Sequence, residues 1–139
     1  MTKRHIKLPL FLTRLSIVAF LLPWQITRFT GPEVINNIAK THYKFAVSQT
    51  LSTISGVLMI ALLVALLIGF KKRISYGLVF LLHAVGTFMT IPSLYVGSKA
   101  LVTASFDPKA LFLAAVPAAF AMLLLYCLRD EDTMFSLNK

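Results

Sequence analysis

The chain is poor in acidic residues and in cysteine. It holds five Asp and Glu against 14 Lys and Arg in 139 residues, and its single cysteine is Cys127. One cysteine excludes an intramolecular disulfide, a CxxC redox pair and a metal site built on several cysteines. The GxSxG, HExxH, Walker and GxGxxG motifs are also missing. The sequence therefore shows no sign of an enzyme that acts on its own.

Charge is missing altogether from long stretches of the chain. Between Lys44 and Lys71, 26 consecutive residues carry no charged side chain. A helix crosses the hydrocarbon core of a bilayer in about 20 apolar residues, so this run predicts a membrane span with length to spare for tilt. Because 58% of the residues are hydrophobic and no linker or low-complexity tract occurs, we expect one membrane domain over residues 1–139.

Four apolar segments predict four transmembrane helices, at about residues 8–27, 45–70, 74–95 and 110–128. The basic, then apolar N-terminus lacks a small-x-small cleavage site, so we expect a retained first span. Backbone polar groups in lipid must form their hydrogen bonds within the segment, which favours helices. The period-two alternation of apolar and polar residues that is typical of a membrane β-barrel is absent. The predicted fold is an all-α integral membrane four-helix bundle. Pro117 is expected to bend the fourth helix.

The distribution of basic residues predicts the orientation. Nine of the 14 lie at the termini and in the middle turn: Lys3, Arg4, Lys7, Arg14, Lys71, Lys72, Arg73, Arg129 and Lys139. The positive-inside rule then places both termini in the cytoplasm, N-in/C-in. The net charge of +9 comes from basic residues at the ends of the spans, where they set the orientation and face anionic lipid. No nucleic-acid partner is therefore expected. Asp130, Glu131 and Asp132 are expected to form a solvated tail.

Polar side chains within the first two predicted spans are candidates for function, because polar groups are costly in lipid. Arg14 lies near the start of the first span, where it would either snorkel to the headgroups or be buried with a partner. The second span carries Gln49, Ser52, Thr53 and Gly56 on one helical face. That face would serve either close helix packing or ligand binding.

The third span carries the only histidine placed near mid-membrane, His83. Gly86, Thr87 and Thr90 share its helical face. An imidazole at that depth would hydrogen-bond a quinone carbonyl or relay a proton, or else donate to a backbone carbonyl without doing chemistry. Both readings stay open. A metal site would need more ligands than the spans supply, so no metal is expected.

Two further patterns lie outside these polar rows. At the far end of the first span, Trp24, Arg28 and Glu33 cluster around a Gly-Pro turn, with His42 and Tyr95 arriving nearby. They would form a polar mouth above the bundle or a surface loop without chemistry. On the fourth span, a row of small residues predicts a close-packing surface within the bundle or between protomers. The row consists of Ala110, Ala114 and Ala118.

The order of these features resembles the DoxX-like superfamily of four-span bacterial inner-membrane proteins. The resemblance rests on Thr13-Arg14-Leu15, WQITRFTGPE at 24–33, the basic turn after Gly69, TFMTIP at 87–92 and FSLN at 135–138. RFTGPE and TFMTIP are similar to stretches of the reactive-chlorine-resistance branch. The chain departs from the family pattern at two points. Arg28 stands where many relatives are expected to have lysine. The glutamate expected near the start of the second span is missing, and either Gln49 occupies its place or no residue corresponds to it.

The resemblance implies the four-helix fold and a bacterial inner-membrane location. One branch holds a membrane subunit of a thiosulfate:quinone oxidoreductase, and others are associated with oxidative-stress resistance. We expect a membrane subunit or stress-associated factor that binds quinone or a lipid-like ligand between its helices. Alternatives are a redox subunit with a partner, an assembly subunit packed through the alanine row, and a small dimeric transporter. The expected ligand-binding residues are His83, Thr87, Gln49, Ser52, Arg14, Trp24, Arg28, Glu33 and Tyr95.

Overall fold

The computed structural model describes residues 5–105 and 107–137, which contain helices and connecting turns but no strand. The prediction of an all-α chain is confirmed. The six α-helices are α1 (Lys7–Thr30), α2 (Pro32–Ile38), α3 (Gln49–Leu67), α4 (Lys72–Met89), α5 (Ile91–Val102) and α6 (Ala115–Cys127). A π-helical turn covers Ala39–Tyr43, and a 3-10 helix covers Pro108–Ala114. Lys3, Arg4, Lys139 and Asn138, used in the sequence arguments above, lie outside the described residues.

Three helical segments are long and apolar enough to cross a membrane: α1, α3 and the 20-residue segment Pro108–Cys127. A fourth span exists if α4 and α5 are counted together, but the pair is bent by 66°. The continuous third span expected at 74–95 is thus broken at Thr90. Pro92 lacks an amide hydrogen and lies in the first turn of α5, where a missing donor is tolerated.

The start of α3 and the turn after it have local causes. Ser48 caps α3 by accepting a hydrogen bond from the Leu51 amide at 3.2 Å, so the helix begins at Gln49 rather than at residue 45. After α3, Gly69 and Lys71 both adopt positive φ angles, 64° and 44°. A left-handed residue ends a helix and reverses the chain, which produces the tight α3–α4 hairpin.

The segment after α5 is held against it by an unusually close backbone contact. A Cβ placed on Gly97 would lie 2.7 Å from the Lys109 carbonyl oxygen and 2.8 Å from the Ala110 nitrogen. Only glycine fits at that separation, so the 3-10 helix lies directly on α5. Ala110, the first member of the predicted alanine row, is therefore used for packing inside the chain.

Pro117, which was expected to bend the fourth span, lies close to an irregularity of that span. It lies in the first turn of α6, where the amide hydrogen of an ordinary residue would have no partner within the helix. The irregularity appears one step earlier, at the change from 3-10 to α geometry between Ala114 and Ala115.

The apolar core fills only one half of the bundle, where α1, α3, α4 and α6 meet. Its fully buried aliphatic members are Leu10, Ile17, Leu21, Leu63, Leu66, Val79, Met122 and Leu125. Large apolar side chains elsewhere point outward, for example Leu58, Phe88 and Phe120, each about two-thirds exposed. A patch of this extent is typical of a surface that meets a membrane or a partner. The other half of the bundle holds a cavity.

Candidate functional site

A cavity of about 430 Å³ lies between the C-terminal half of α1, the middle of α4 and the 3-10 helix. The segment from α2 to Val47 closes one side of it. Its wall is mainly apolar, with a few polar side chains contributed by α1, α4 and the π-helical turn. Ligand pockets in proteins typically have this composition and volumes of about 300–1,000 Å³.

Helix α1 contributes a tryptophan, an amide and a guanidinium to the wall: Trp24, Gln25 and Arg28. Arg28 Nε donates to Gln25 Oε1 at 2.9 Å, and Nη1 donates to Ser55 Oγ of α3 at 3.0 Å. Ser52 Oγ in turn donates to the Arg28 carbonyl at 3.1 Å. Among the described residues, the hydrogen-bond partners that fix the guanidinium are therefore all neutral.

Helix α4 contributes the face predicted from its sequence: His83, Gly86, Thr87 and Thr90 all line the cavity. His83 Nε2 lies 2.9 Å from the carbonyl oxygen of Ala115 on α6. Since a carbonyl only accepts, Nε2 must carry the hydrogen. The edge of Phe20 packs on the imidazole, with the ring centroids 5.8 Å apart. These contacts fix both the tautomer and the orientation of the ring.

An aromatic group covers the cavity where the π-helical turn meets the 3-10 helix. Phe112 stacks on Trp24, with ring centroids 6.4 Å apart, and also meets the His42 ring edge at 5.7 Å. Tyr43 lines the cavity beside Gly86, where an added Cβ would lie 3.3 Å from the phenol oxygen. Burial raises the pKa of Tyr43, and the positive charge of Arg28 lowers it by less. The phenol therefore keeps its proton near neutral pH and serves as a donor.

The structure brings together part of the predicted set. Trp24, Arg28, His83 and Thr87 line the cavity, and Ser52 lies behind it, buried and bonded to the Arg28 carbonyl. Gln49, Glu33 and Tyr95 are exposed and do not line it, Tyr95 with 71% of its surface accessible. Within residues 5–105 and 107–137, Arg28 forms no ion pair with Glu33.

The polar row on α3 faces α1 rather than α4. Ser52 and Gly56 are buried against Arg28 and Phe29, whereas Gln49 and Thr53 point outward. The cavity therefore lies between α1 and α4, and the polar row of α3 packs against α1. Sequence reasoning missed Gln25 and Tyr43 as site residues. The spacing of Gln25 three residues before Arg28 was a signal that would have found it.

Arg14 lies at the opposite end of the bundle, in a buried ionic cluster with Lys72, Tyr76 and Asp132. Of the two readings of Arg14, burial with a partner is the observed one. Arg14 and Asp132 are both 0% exposed, with Nη1 and Oδ2 3.5 Å apart. Tyr76 lies between them, accepting from Arg14 at 3.2 Å and donating to Asp132 at 2.8 Å.

Residues 129–137, the C-terminal strap, close this end of the bundle. Arg14 Nη2 donates to the carbonyls of Met134 and Phe135 at 2.6 and 3.2 Å. Lys72 Nζ donates to the Asp132 carbonyl at 2.6 Å. The expectation that Asp132 belongs to a solvated tail is wrong, because its carboxylate neutralises the Arg14 charge inside the protein. Arg14 Nε and Asp132 Oδ1 are buried and have no hydrogen-bond partner among the residues that the structure describes.

The two ends therefore offer different chemistry. The cavity presents hydrogen-bond donors on Gln25 Nε2, Arg28 Nη2 and the Tyr43 hydroxyl, none of which bonds to another described residue. Its one imidazole presents an acceptor. In the described ranges, no three His, Cys, Asp or Glu side chains come together in a group able to hold a metal ion. This arrangement suits binding of a mainly apolar molecule that carries polar oxygens.

Comparison of the chain with protein-family models, with curated proteins and with solved structures finds no significant match in any of the three.

Proposed function

We propose that this chain is an integral protein of a bacterial inner membrane that binds a quinone or another lipid-like ligand in its cavity. It serves as a DoxX-like membrane subunit or stress-associated factor rather than as an enzyme on its own. The observation that carries the proposal is the cavity itself. An apolar wall surrounds a few convergent polar groups, His83 from α4 and Gln25 and Arg28 from α1.

The membrane setting is supported by the outer surface and the charge distribution. The candidate spans carry exposed Leu, Val and Phe side chains around most of their circumference. Exposing apolar side chains to water costs free energy, whereas exposing them to lipid does not. The basic turn Lys71-Lys72-Arg73 lies at the same end of the bundle as the strap, which supports a cytoplasmic position for that end.

Purification in mild detergent followed by mass spectrometry of the bound small molecules tests the ligand. We expect a ring-bearing lipid such as a quinone to co-purify, and its amount to fall several-fold in His83→Ala. His5→Ala is the matched control, since His5 is exposed and does not line the cavity. Equal ligand content in wild type and His83→Ala would overturn the assignment of the site.

Cysteine labelling on intact cells tests the insertion and its orientation. In a Cys127→Ser background, Lys40→Cys and Asp130→Cys place one thiol at each end of the bundle, both at exposed positions. A membrane-impermeant maleimide is expected to label Lys40→Cys in intact cells and Asp130→Cys only after the membrane is opened. Labelling of both thiols in intact cells would contradict the proposed topology.

The alternative functions have less support. In the alanine row, Ala110 contacts α5 at Gly97 and Ala118 packs against the core, which leaves Ala114 exposed. A protein partner at fixed stoichiometry, without a bound small molecule, would favour the assembly reading. A dimeric exporter of cations is disfavoured by the cavity wall, which among the described residues contains Arg28 but no acidic side chain.

A further inference from the structure

The two nitrogens of His83 have different roles. Nε2 carries a hydrogen that is used by the Ala115 carbonyl at 2.9 Å. In the neutral ring the other nitrogen, Nδ1, then has a lone pair and no hydrogen. Nδ1 bonds to no described residue, and it is not among the atoms buried without a partner. His83 thus offers the cavity an acceptor and no donor.

The neighbouring hydroxyls on α4 do not supply the missing donor. Thr87 Oγ1 donates to the His83 carbonyl at 2.9 Å, and Thr90 Oγ1 donates to the Thr87 carbonyl at 3.0 Å. Their hydrogens are therefore used within the helix, and toward the cavity both oxygens act as acceptors. The α4 wall as a whole accepts hydrogen bonds.

The α1 wall has the opposite character. Arg28 keeps one guanidinium nitrogen, Nη2, beyond its bonds to Gln25 and Ser55, and it carries a positive charge. Gln25 has its oxygen occupied by Arg28, which leaves its amide nitrogen as a donor. The cavity is therefore polarised, with an accepting wall on α4 and a donating wall on α1.

We propose that the cavity selects the reduced, dihydroxy form of a quinone over the oxidised, dicarbonyl form. A quinol hydroxyl donates to His83 Nδ1, and the oxygen at the other side of the ring accepts from Arg28 or Gln25. The oxidised ring has only acceptors, so its carbonyl would face the Nδ1 lone pair with no hydrogen between them. This inference rests on the proposed function, of which it specifies the redox state of the ligand.

A competition experiment on the whole chain in lipid nanodiscs tests the selection. The protein is mixed anaerobically with equimolar short-chain ubiquinone and its quinol at about pH 8, above the ordinary pKa of histidine. Bound and free ligands are separated and quantified. One additional hydrogen bond predicts a quinol enrichment of roughly three- to tenfold. We expect the enrichment to vanish in His83→Leu and to persist in His5→Leu.

A ligand-side control makes the test independent of variant folding. The dimethyl ether of the same quinol keeps the ring and both oxygens but has no hydroxyl to donate. On the unaltered protein it should lose the advantage of the quinol and compete no better than the quinone.

The outcomes separate the two proposals. Equal retention of quinol and quinone, or preference for the quinone or the ether, would overturn the selection while leaving ligand binding in place. Retention of neither ring by the unaltered protein would overturn the quinone-binding function itself. Enrichment that survives in folded His83→Leu would also overturn the role assigned to His83.

Discussion

The two ends of the bundle use the same residue type for opposite purposes. Arg14 and Arg28 lie four turns apart on nearly the same face of α1. Arg14 is wholly buried and meets a carboxylate, a phenol and two strap carbonyls. Within the described part of the chain, the guanidinium of Arg28 bonds only to the neutral side chains of Gln25 and Ser55. An arginine neutralised within the chain is structural, whereas one without a counter-charge at a cavity wall keeps its charge available for a ligand.

The difference follows from what covers each end. The strap returns over the turn between α3 and α4, where the Leu137 amide donates to the Ile68 carbonyl at 2.9 Å, and so closes the cluster. The cavity end is covered by aromatic rings, which supply surface but no counter-charge. The first end is thus closed by ionic and hydrogen bonds, and the second remains open to an apolar molecule.

The largest effect is expected at the closed end, from Asp132→Ala. Removing the carboxylate leaves Arg14 buried without its counter-charge, and breaking a buried pair in this way costs about 3–5 kcal/mol. Thermal or denaturant unfolding in detergent measures the loss. Asp130→Ala is the matched control, because Asp130 is 85% exposed and pairs with Arg129 only at 4.0 Å. It should change stability by less than about 0.5 kcal/mol. Similar losses in both variants would remove the distinction drawn between the ends.

The next largest effect is expected from Gly97→Ala. Gly97 lies on α5 against the 3-10 helix, which forms part of the cavity wall. The new methyl group must push the 3-10 helix away from α5, because it would meet backbone atoms at 2.7–2.8 Å. Overpacking of this kind costs about 1–3 kcal/mol. Gly86→Ala is the control, since its methyl group would meet only the Tyr43 hydroxyl at 3.3 Å. An unchanged melting temperature in Gly97→Ala would show that the two elements are free to separate.

A smaller loss of stability is expected from Arg28→Leu at the cavity end. The variant removes two hydrogen bonds to neutral groups, the buried Gln25 amide and the half-buried Ser55 hydroxyl, and we expect a cost of about 1 kcal/mol. Retention of the ligand, measured by mass spectrometry, should nevertheless fall several-fold. Arg14→Leu should show the reverse pattern, with a large loss of stability that exceeds that of Arg28→Leu. Equal destabilisation by both substitutions would mean that the two arginines are equivalent.

The smallest effect, a spectroscopic one without change in stability, is expected from Trp24. It is the only tryptophan of the chain, and it lines the cavity. Its fluorescence should therefore be quenched in a saturable way when a quinone enters, with less quenching in Arg28→Leu at equal quinone concentration. Non-saturable quenching equal in the two proteins would indicate contact with quinone dissolved in the lipid rather than in the cavity.

Much of the fold was predictable, because apolar run length and helical periodicity are local properties. The face of His83, Gly86, Thr87 and Thr90 was predicted from spacing alone, and all four line the cavity. The break at Thr90 also had a local signal in Pro92, which was not used. The partner of the α3 face was not predictable in this way, since periodicity does not say which neighbouring helix a face will meet.

By itself, the sequence determined the helical class and the polar face of α4. These follow from hydrophobicity and from a period of 3.6 residues, which every short window of the chain carries. The tertiary structure alone decided that Asp132 lies in the core and that His83 offers an acceptor to the cavity. Those outcomes depend on contacts between distant segments: Arg14 with Met134 and Tyr76, and His83 with Ala115. The free energy of burying a charge or fixing a tautomer depends on the hydrogen-bonding or charged group that lies next to it. Only the packing of the whole chain specifies that neighbour.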